Sequence, residues 1–127
     1  MEQEKIADFK QKLETEFALV DSELRTVGRE NPDAPGQWEP VVKDVDQTAT
    51  EQDELADKFE ELEENTDILN ALQMRWRNIK RALQKIEDGS YGICEISGKD
   101  IELERLEANQ AARTCEEHMA EEKNLPL

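Results

Sequence analysis

The sequence predicts a mainly α protein, in which a long antiparallel coiled-coil hairpin is attached to a small, degenerate zinc-finger-like globule. Two long stretches carry apolar residues at intervals of three and four, which is the pattern of helices packed in a coiled coil. After the second stretch this spacing ends, and two short cysteine-containing motifs follow. A length of 127 residues suits one small domain with a protruding hairpin.

The first helix is predicted from about residue 3 to residue 29. Its apolar residues form one narrow seam: Ile6, Phe9, Leu13, Phe17, Val20, Leu24 and Val27. Gly28 and the Asn31-Pro32 pair are typical of residues that end a helix. Residues 30–50 are then predicted to be a linker, because Pro32, Pro35, Gly36 and Pro40 exclude a continuous helix. Within this linker we expect Trp38 to anchor the chain on a helix.

The second helix is predicted from about residue 50 to residue 88, where Asp88-Gly89 is a stop signal. Its apolar residues form a second seam: Leu55, Phe59, Leu62, Leu69, Leu72, Trp76, Ile79, Leu83 and Ile86. Because each helix needs a partner to bury its seam, we expect the two helices to pair within one chain. The sequence therefore predicts a helical hairpin over residues 1–88 and a monomeric protein.

Residues 89–127 are predicted to form the globule, with turns or a small β-hairpin followed by one or two short helices. Cys94-x-x-Ser97 and Cys115-x-x-His118 have the spacing of a four-ligand zinc knuckle. Structural zinc prefers a closed tetrahedron of thiolate and imidazole donors. Cys94, Cys115 and His118 are such donors, whereas Ser97 places a neutral hydroxyl at the fourth position.

Three hypotheses follow for this knuckle. Zinc is bound by Cys94, Cys115 and His118, with Ser97 or water as the fourth partner. Alternatively, the knuckle is metal-free and packs through its apolar residues, which are Tyr91, Ile93, Ile96, Ile101, Leu103 and Leu106. A hydrolytic zinc with an open position is the third hypothesis, and the lack of a pocket-forming core disfavours it.

No catalytic residues are predicted, since one histidine and no phosphate-binding loop are present.

The composition restricts the classes of partner. A formal net charge of −16 opposes unassisted contact with nucleic acid and with anionic membrane surfaces. A protein partner with a basic cleft is the complementary choice. No segment approaches the ~20 apolar residues that span a bilayer, so we expect a cytoplasmic protein. In that compartment the cysteines are expected as thiols or ligands, and a Cys94–Cys115 disulfide stays open as an alternative.

The charges are unevenly distributed along the second half of the hairpin. Residues 44–64 contain ten acids and one base, whereas residues 75–85 contain five bases and no acid. The simplest interpretation is a solvated helix surface with pairing between neighbouring turns.

The chain resembles the DksA/TraR family in four stretches: Arg81–Cys94, Gly98 to Ile101, Arg105–Ala108 and Ala111–Cys115. The resemblance is closest over residues 53–118. Members are small bacterial proteins in which a zinc-finger globule carries a helical hairpin that enters the secondary channel of RNA polymerase. Ser97 and His118 stand at two family cysteines, and Gln110 stands at a usual proline.

This resemblance implies RNA polymerase as the partner and an acidic hairpin tip near the polymerase active centre. The tip pattern of the family matches Glu51, Asp53, Glu54 and Ala56, and the alternative match is Asp44 with Asp46. Basic residues Arg75, Arg77, Lys80 and Arg81 contact the channel rim, bind an anionic effector, or simply balance the acidic first helix. No residue is assigned to guanosine tetraphosphate. The rival function is a coiled-coil adaptor that has lost zinc and polymerase binding.

Overall fold

The computed structural model describes residues 2–40 and 52–126, without the side chains of residues 52–59 and 61–63. In chain order the elements are helix α1 (Gln3–Val27), strand β1 (Gly28–Glu30), strand β2 (Trp38–Pro40), helix α2 (Gln52–Asp88), helix α3 (Leu103–Ala108) and a 3-10 helix (Glu116–Asn124). The mainly α fold class predicted from the two apolar seams is therefore confirmed.

Contacts divide the chain into two compact units. One unit combines Met1–Leu19 with Trp76–Leu127, and the other is Val20–Arg75. The beginning of α1 and the end of α2 thus belong with the globule that contains both cysteines. The predicted boundary at residue 88 remains a prediction.

In the unit that contains the globule, aromatic contacts show that α1 and α2 run antiparallel. Phe17 stacks on Trp76 with ring centroids 5.8 Å apart, and Phe9 meets Tyr91 at 6.2 Å. Leu13 and Ile79, from the two predicted seams, are completely buried. The seams are therefore the core of this unit, as expected when each helix has a single apolar face.

Helix α2 ends where the sequence predicts it. Gly89 has a φ of 80°, a left-handed conformation that side chains with a Cβ atom rarely adopt. The Ser90 N–H donates to the carbonyl oxygen of Lys85 at 2.9 Å. This hydrogen bond from the second residue beyond the helix is characteristic of a Schellman motif, and it directs the chain into the globule.

In the other unit, part of the predicted linker is a short antiparallel hairpin. Strand β1 pairs with β2 so that Gly28 lies opposite Pro40 and Glu30 lies opposite Trp38. Helix α1 therefore ends at Val27, two residues before the predicted end, because the Gly28 backbone has already entered the strand pairing. The remainder of the predicted linker, residues 41–50, lies outside the described residues.

Trp38 anchors this hairpin on α2, as predicted. Trp38 is 6% exposed, and its backbone N–H donates to Gln73 Oε1 at 2.8 Å. The Arg25 guanidinium lies 5.4 Å from the centroid of the Trp38 ring, a distance at which cation–π attraction operates. The hairpin is therefore fixed to both α1 and α2 within this unit.

Replacing Gly28 is expected to destabilise the fold, because the site has no room for a Cβ atom. A Cβ would clash with Leu69 Cδ1 and would lie 2.6 Å from the Glu39 carbonyl oxygen. We expect Gly28→Ala to lower the free energy of unfolding by about 1–3 kcal/mol in a urea titration. Arg29→Ala, at an exposed position of the same strand, is the control. Equal losses in the two variants would contradict the close packing at Gly28.

Candidate metal centre

The first cysteine motif lies in a tight turn. Ile93 and Asp100 form an isolated antiparallel bridge, and the Cys94 N–H donates to the Lys99 carbonyl at 2.8 Å. Gly98 N–H donates to the Cys94 carbonyl at 2.9 Å, which closes the turn from within. The predicted small β-hairpin is therefore reduced to one bridge, and the turn places Cys94 and Ser97 close together.

The second motif brings two more donors to this turn. Cys94 and Cys115 are buried, with 1% and 4% exposure, and His118 is partly buried at the start of the 3-10 helix. The two sulfur atoms and a His118 ring nitrogen all lie within 4.8 Å of one another. His118 Nδ1 is 3.2 Å from Cys115 Sγ. The fold thus brings together the three donors that the spacing predicts.

Ser97 contacts both thiols. Its N–H donates to Cys94 Sγ at 3.4 Å, and its Oγ lies 3.9 Å from Cys115 Sγ. The same Oγ accepts a hydrogen bond from the Lys99 N–H at 3.3 Å. Ser97 therefore lies beside the fourth corner of the cluster, where a ligand of a four-donor knuckle would lie.

The surroundings of Cys94 favour its thiolate form. Burial raises the pKa of the Cys94 thiol, but hydrogen bonds from the Ser97 hydroxyl and from the backbone N–H groups of Ser97, Cys115 and Ile96 outweigh burial. Together they lower this pKa to about 6. Because the thiolate is the form that binds metals, the turn prepares Cys94 as a ligand.

The donor set fits zinc at three corners. Tetrahedral zinc has Zn–S and Zn–N bonds of about 2.3 and 2.0 Å, so its donors lie roughly 3.3–3.8 Å apart. Two thiols and an imidazole within 4.8 Å of one another need only small adjustments to reach that geometry. No Asp or Glu carboxylate joins the three in the described part of the chain. The fourth position is therefore left to Ser97 or to a donor from solution.

An ion-pair cluster connects the two cysteine motifs. Glu95 accepts hydrogen bonds from Arg113 Nε at 2.6 Å, from Arg113 Nη2 at 2.9 Å and from Lys85 Nζ at 2.9 Å. The hydrogen bonds from Arg113 lower the pKa of Glu95 most, and Lys85 lowers it further. Burial acts in the opposite direction but is outweighed, so this pKa is about 2. Glu95 follows Cys94 and Arg113 lies two residues before Cys115, so this cluster joins the motifs independently of a metal.

A second set of hydrogen bonds holds the 3-10 helix that contains His118. Arg105 donates to the Thr114 carbonyl at 2.6 Å and to Glu122 Oε2 at 3.0 Å. The Glu116 N–H donates to Glu102 Oε2 at 2.9 Å. These contacts tie the 3-10 helix to the segment around α3. Neither set could be predicted from the sequence, because alternating charges do not reveal which residues will pair.

The predicted core of the globule was half right. Tyr91, Ile101 and Leu106 are buried, but the prediction was wrong for three others: Ile93, Ile96 and Leu103 are 38%, 40% and 36% exposed. A turn with a single bridge has no sheet face against which alternate side chains can pack. Small residues just before the second motif fill the core instead, namely Ala111, Ala112 and Thr114.

Removing the Glu95 carboxylate is expected to destabilise the globule in a pH-dependent way. The pKa of Glu95 in the folded protein is about 2, below the ordinary 4.5, so its stabilisation is complete above pH 4.5 and is lost as the pH falls towards 2. We expect Glu95→Gln to lower the free energy of unfolding by about 1–2 kcal/mol at pH 7.

The measurement is urea unfolding of wild type and variant at pH 7, 4 and 2. The difference should shrink as the pH approaches 2, where the wild-type carboxylate becomes protonated. Glu104→Gln, on the exposed side of α3, is the control and should change little. A difference that does not depend on pH would contradict the ionic role of Glu95.

The other predicted site residues fall into two groups. Of the acidic tip residues, Asp53, Glu54 and Ala56 lie in α2 without described side chains. Three lie outside the described residues: Glu51, Asp44 and Asp46. The fold therefore leaves the assignment of the tip as a prediction.

The predicted basic residues make contacts within the chain. Lys80 Nζ lies 4.5 Å from the centroid of the Trp76 ring, and Arg81 Nη1 donates to Asn78 Oδ1 at 2.8 Å. Burial, followed by the nearby charge of Arg113, lowers the pKa of Arg81. Arg75 and Arg77 also interact with other residues of the chain. A contact with a partner through these residues stays a prediction.

Comparison with known proteins matches the cysteine-containing segment to a family model. Residues 89–117 match the prokaryotic dksA/traR C4-type zinc finger. The match covers the turn with Cys94 and Ser97 and extends to Glu117, one residue before His118. The structure and this match together define a helical protein with a zinc-finger-type module.

Relatives extend the similarity beyond this segment. The uncharacterized protein YteA of Bacillus subtilis is 50% identical over 46 residues, which are 36% of this chain and 19% of YteA. The RNA polymerase-binding transcription factor DksA of Escherichia coli is 32% identical over 89 residues, which are 61% of this chain and 59% of that protein. The chain thus spans about a fifth of the first relative and less than two thirds of the second.

A solved structure with the same fold is the RNA polymerase binding protein and transcriptional regulator Dks from Chlamydia trachomatis. It aligns with a TM-score of 0.53 and 23% identity, covering 98% of this chain and 93% of that one. The chain belongs to the DksA/TraR family.

In the described residues, no helix has the length and apolarity needed to cross a membrane.

Proposed function

We propose that this protein regulates bacterial transcription by binding RNA polymerase through the secondary channel, with its acidic tip near the active centre. The observation that carries the proposal is the 89-residue similarity to an RNA polymerase-binding transcription factor, which reaches well beyond the 29 residues of the family match. The antiparallel helices and the knuckle provide the same fold as the solved Dks regulator. No catalytic step and no reading of DNA sequence are part of this function.

The charge distribution supports a protein partner rather than DNA. The ten acids between residues 44 and 64 repel phosphate, whereas they complement a channel lined with basic side chains. In the sequence they follow β2 and continue into the first turns of α2. We assign the tip to Glu51, Asp53, Glu54 and Ala56, and Asp44 with Asp46 is the second choice.

A second contact is proposed for Arg75, Arg77, Lys80 and Arg81. These residues lie later in α2, so they would meet the polymerase at the rim of the channel rather than inside it. Lys80 and Arg81 already contact Trp76 and Asn78, which holds their charged groups in place. Preorganised side chains lose less entropy on binding, so these two residues suit a docking role.

For the knuckle we propose a weak structural metal site. Cys94, Cys115 and His118 would hold the ion, and bound zinc would cross-link the two motifs that already adjoin. The ion pair between Glu95 and Arg113 makes the same connection without metal. The protein should therefore keep its fold when zinc is removed.

One observation favours a second candidate function, the coiled-coil adaptor. Ser97 and His118 stand where the resemblance to the family implies two zinc-binding cysteines, and we infer that a chain that has lost two zinc ligands can also have lost polymerase binding. The two functions differ in a single requirement, which is binding to RNA polymerase.

The test is sedimentation of the purified full chain with core RNA polymerase. We expect the protein, a monomer on its own, to form a 1:1 complex with a Kd in the micromolar range or below, and not to bind duplex DNA alone. Polymerase binding by the Gly28→Ala variant, which we expect to be less stable, is compared with that of the wild type at a temperature at which the variant remains folded. A folded wild-type chain that never co-sediments with polymerase would support the adaptor function instead.

A further inference from the structure

The knuckle has three donors that suit zinc and one corner that does not. At that corner, Ser97 Oγ lies 3.9 Å from Cys115 Sγ and already accepts a hydrogen bond from Lys99. On the basis of the weak metal site in the proposed function, we propose that the fourth coordination position of that site is open to solution. Its ligand is then an external soft donor, namely the thiolate of a small thiol, which replaces water there.

Ser97 itself is a poor fourth ligand. Structural zinc takes thiolate, imidazole or carboxylate donors, and a neutral hydroxyl is none of these. Its hydrogen bonds instead support the turn, where the Ser97 backbone N–H also contacts Cys94 Sγ.

The described residues offer no substitute ligand nearby. Glu116 and Glu117 are exposed and lie between Cys115 and His118 in sequence, yet neither carboxylate belongs to the three-donor cluster. Among the described residues the cluster consists of Cys94, Cys115 and His118 alone. We therefore assign the fourth donor to solution.

The corner is accessible and chemically suited to a thiolate. Ser97 is partly exposed, and its neighbours Ile96 and Gly98 are exposed. Two sulfur donors make the site soft, and soft ligands such as thiolate are preferred at such sites. Ile96, 40% exposed, provides an apolar contact for the carbon chain of a small organic thiol, and exposed Lys99 provides a positive charge.

Cobalt(II) is the spectroscopic probe, because it takes the same tetrahedral donors as zinc and absorbs in the visible range. The apoprotein is prepared with a phosphine reductant, loaded with cobalt(II) and titrated with 2-mercaptoethanol. Coordination of this thiol transfers its proton to the buffer and releases water from the corner. We expect the sulfur-to-cobalt charge-transfer absorbance to rise by roughly half, since the number of thiolate donors increases from two to three.

Two variants of Ser97 make the test specific. Ser97→Ala should keep both the wild-type cobalt spectrum and its response to the thiol, because the hydroxyl is not a ligand. Ser97→Cys should show the three-thiolate spectrum from the start and should not respond. A changed spectrum in Ser97→Ala before thiol is added would show that the hydroxyl binds the metal, which overturns the proposal.

Two further outcomes would also overturn it. A tetrahedral cobalt spectrum that does not respond to the thiol would leave the metal site intact and refute the open position. No tetrahedral spectrum in the wild type would refute the metal site as well as this inference. Neither result bears on polymerase binding, which co-sedimentation tests separately.

Discussion

Glu51→Gln combined with Glu54→Gln is expected to abolish the effect of the protein on transcription in vitro while most of the polymerase affinity remains. In the proposed function these carboxylates act near the active centre, whereas α1, α2 and the globule supply most of the contact area. Exposed charge pairs contribute about 0.2–1 kcal/mol each, so we expect the Kd to change less than about tenfold. Stability should be unchanged, or improve by a few tenths of a kcal/mol as like charges three residues apart are removed.

The measurements are transcription from a responsive promoter and a binding titration with core polymerase. The matched control is Glu104→Gln with Glu107→Gln, which removes two exposed acids, also three apart, from α3. This control should regulate as the wild type does. If the tip variant also regulates normally, the assignment of the tip is wrong, and Asp44 and Asp46 are tested next.

Ser97→Cys is expected to have the second large effect, by completing the donor set of the knuckle. The wild type should hold well under one equivalent of zinc, and a chelator should hardly change its Tm. Changes to the outer partners of zinc ligands already alter affinity about 10–100-fold, so a fourth thiolate should tighten zinc binding by at least about 100-fold. The variant should therefore bind one equivalent of zinc and lose Tm when a chelator is added.

Ser97→Ala is the control, since it removes the hydroxyl without adding a donor, and its zinc content should match that of the wild type. Tightly bound, stoichiometric zinc in the wild type, lost in Cys115→Ser, would contradict the weak site. A Ser97→Cys variant without added zinc affinity would contradict the position given to Ser97. That position depends on the contacts of Ser97 with both sulfur atoms.

The long helices could be predicted because their signal is periodic. Leu13, Leu24, Leu69 and Ile79 all belong to the predicted seams, and each is at most 2% exposed. The strands around Trp38 could not be predicted, because three-residue strands are too short to show alternation and prolines obscure the pattern. A single large apolar residue in a polar segment was nevertheless sufficient to indicate the anchor.

At the knuckle, spacing was enough to predict which residues meet but not how they are held. Cys94, Cys115 and His118 come together as the motif spacing implies. The hydrogen bonds of Ser97 and the pairing of Glu95 with Arg113 depend on the path of the turn, which local sequence does not determine. Ile93 and Ile96 were predicted as core because they are apolar, although a turn with one bridge leaves them exposed.

Entry into the secondary channel is tested most directly by cleavage from the polymerase active centre. Iron(II) placed at the active-centre metal position generates hydroxyl radicals that cut any chain lying close to it. We predict that the bound protein is cut within residues 44–56 and that the cysteine-containing segment, residues 89–118, stays intact. A folded protein that binds polymerase yet is cut nowhere, or is cut only in the globule, would contradict the proposed entry of the acidic tip.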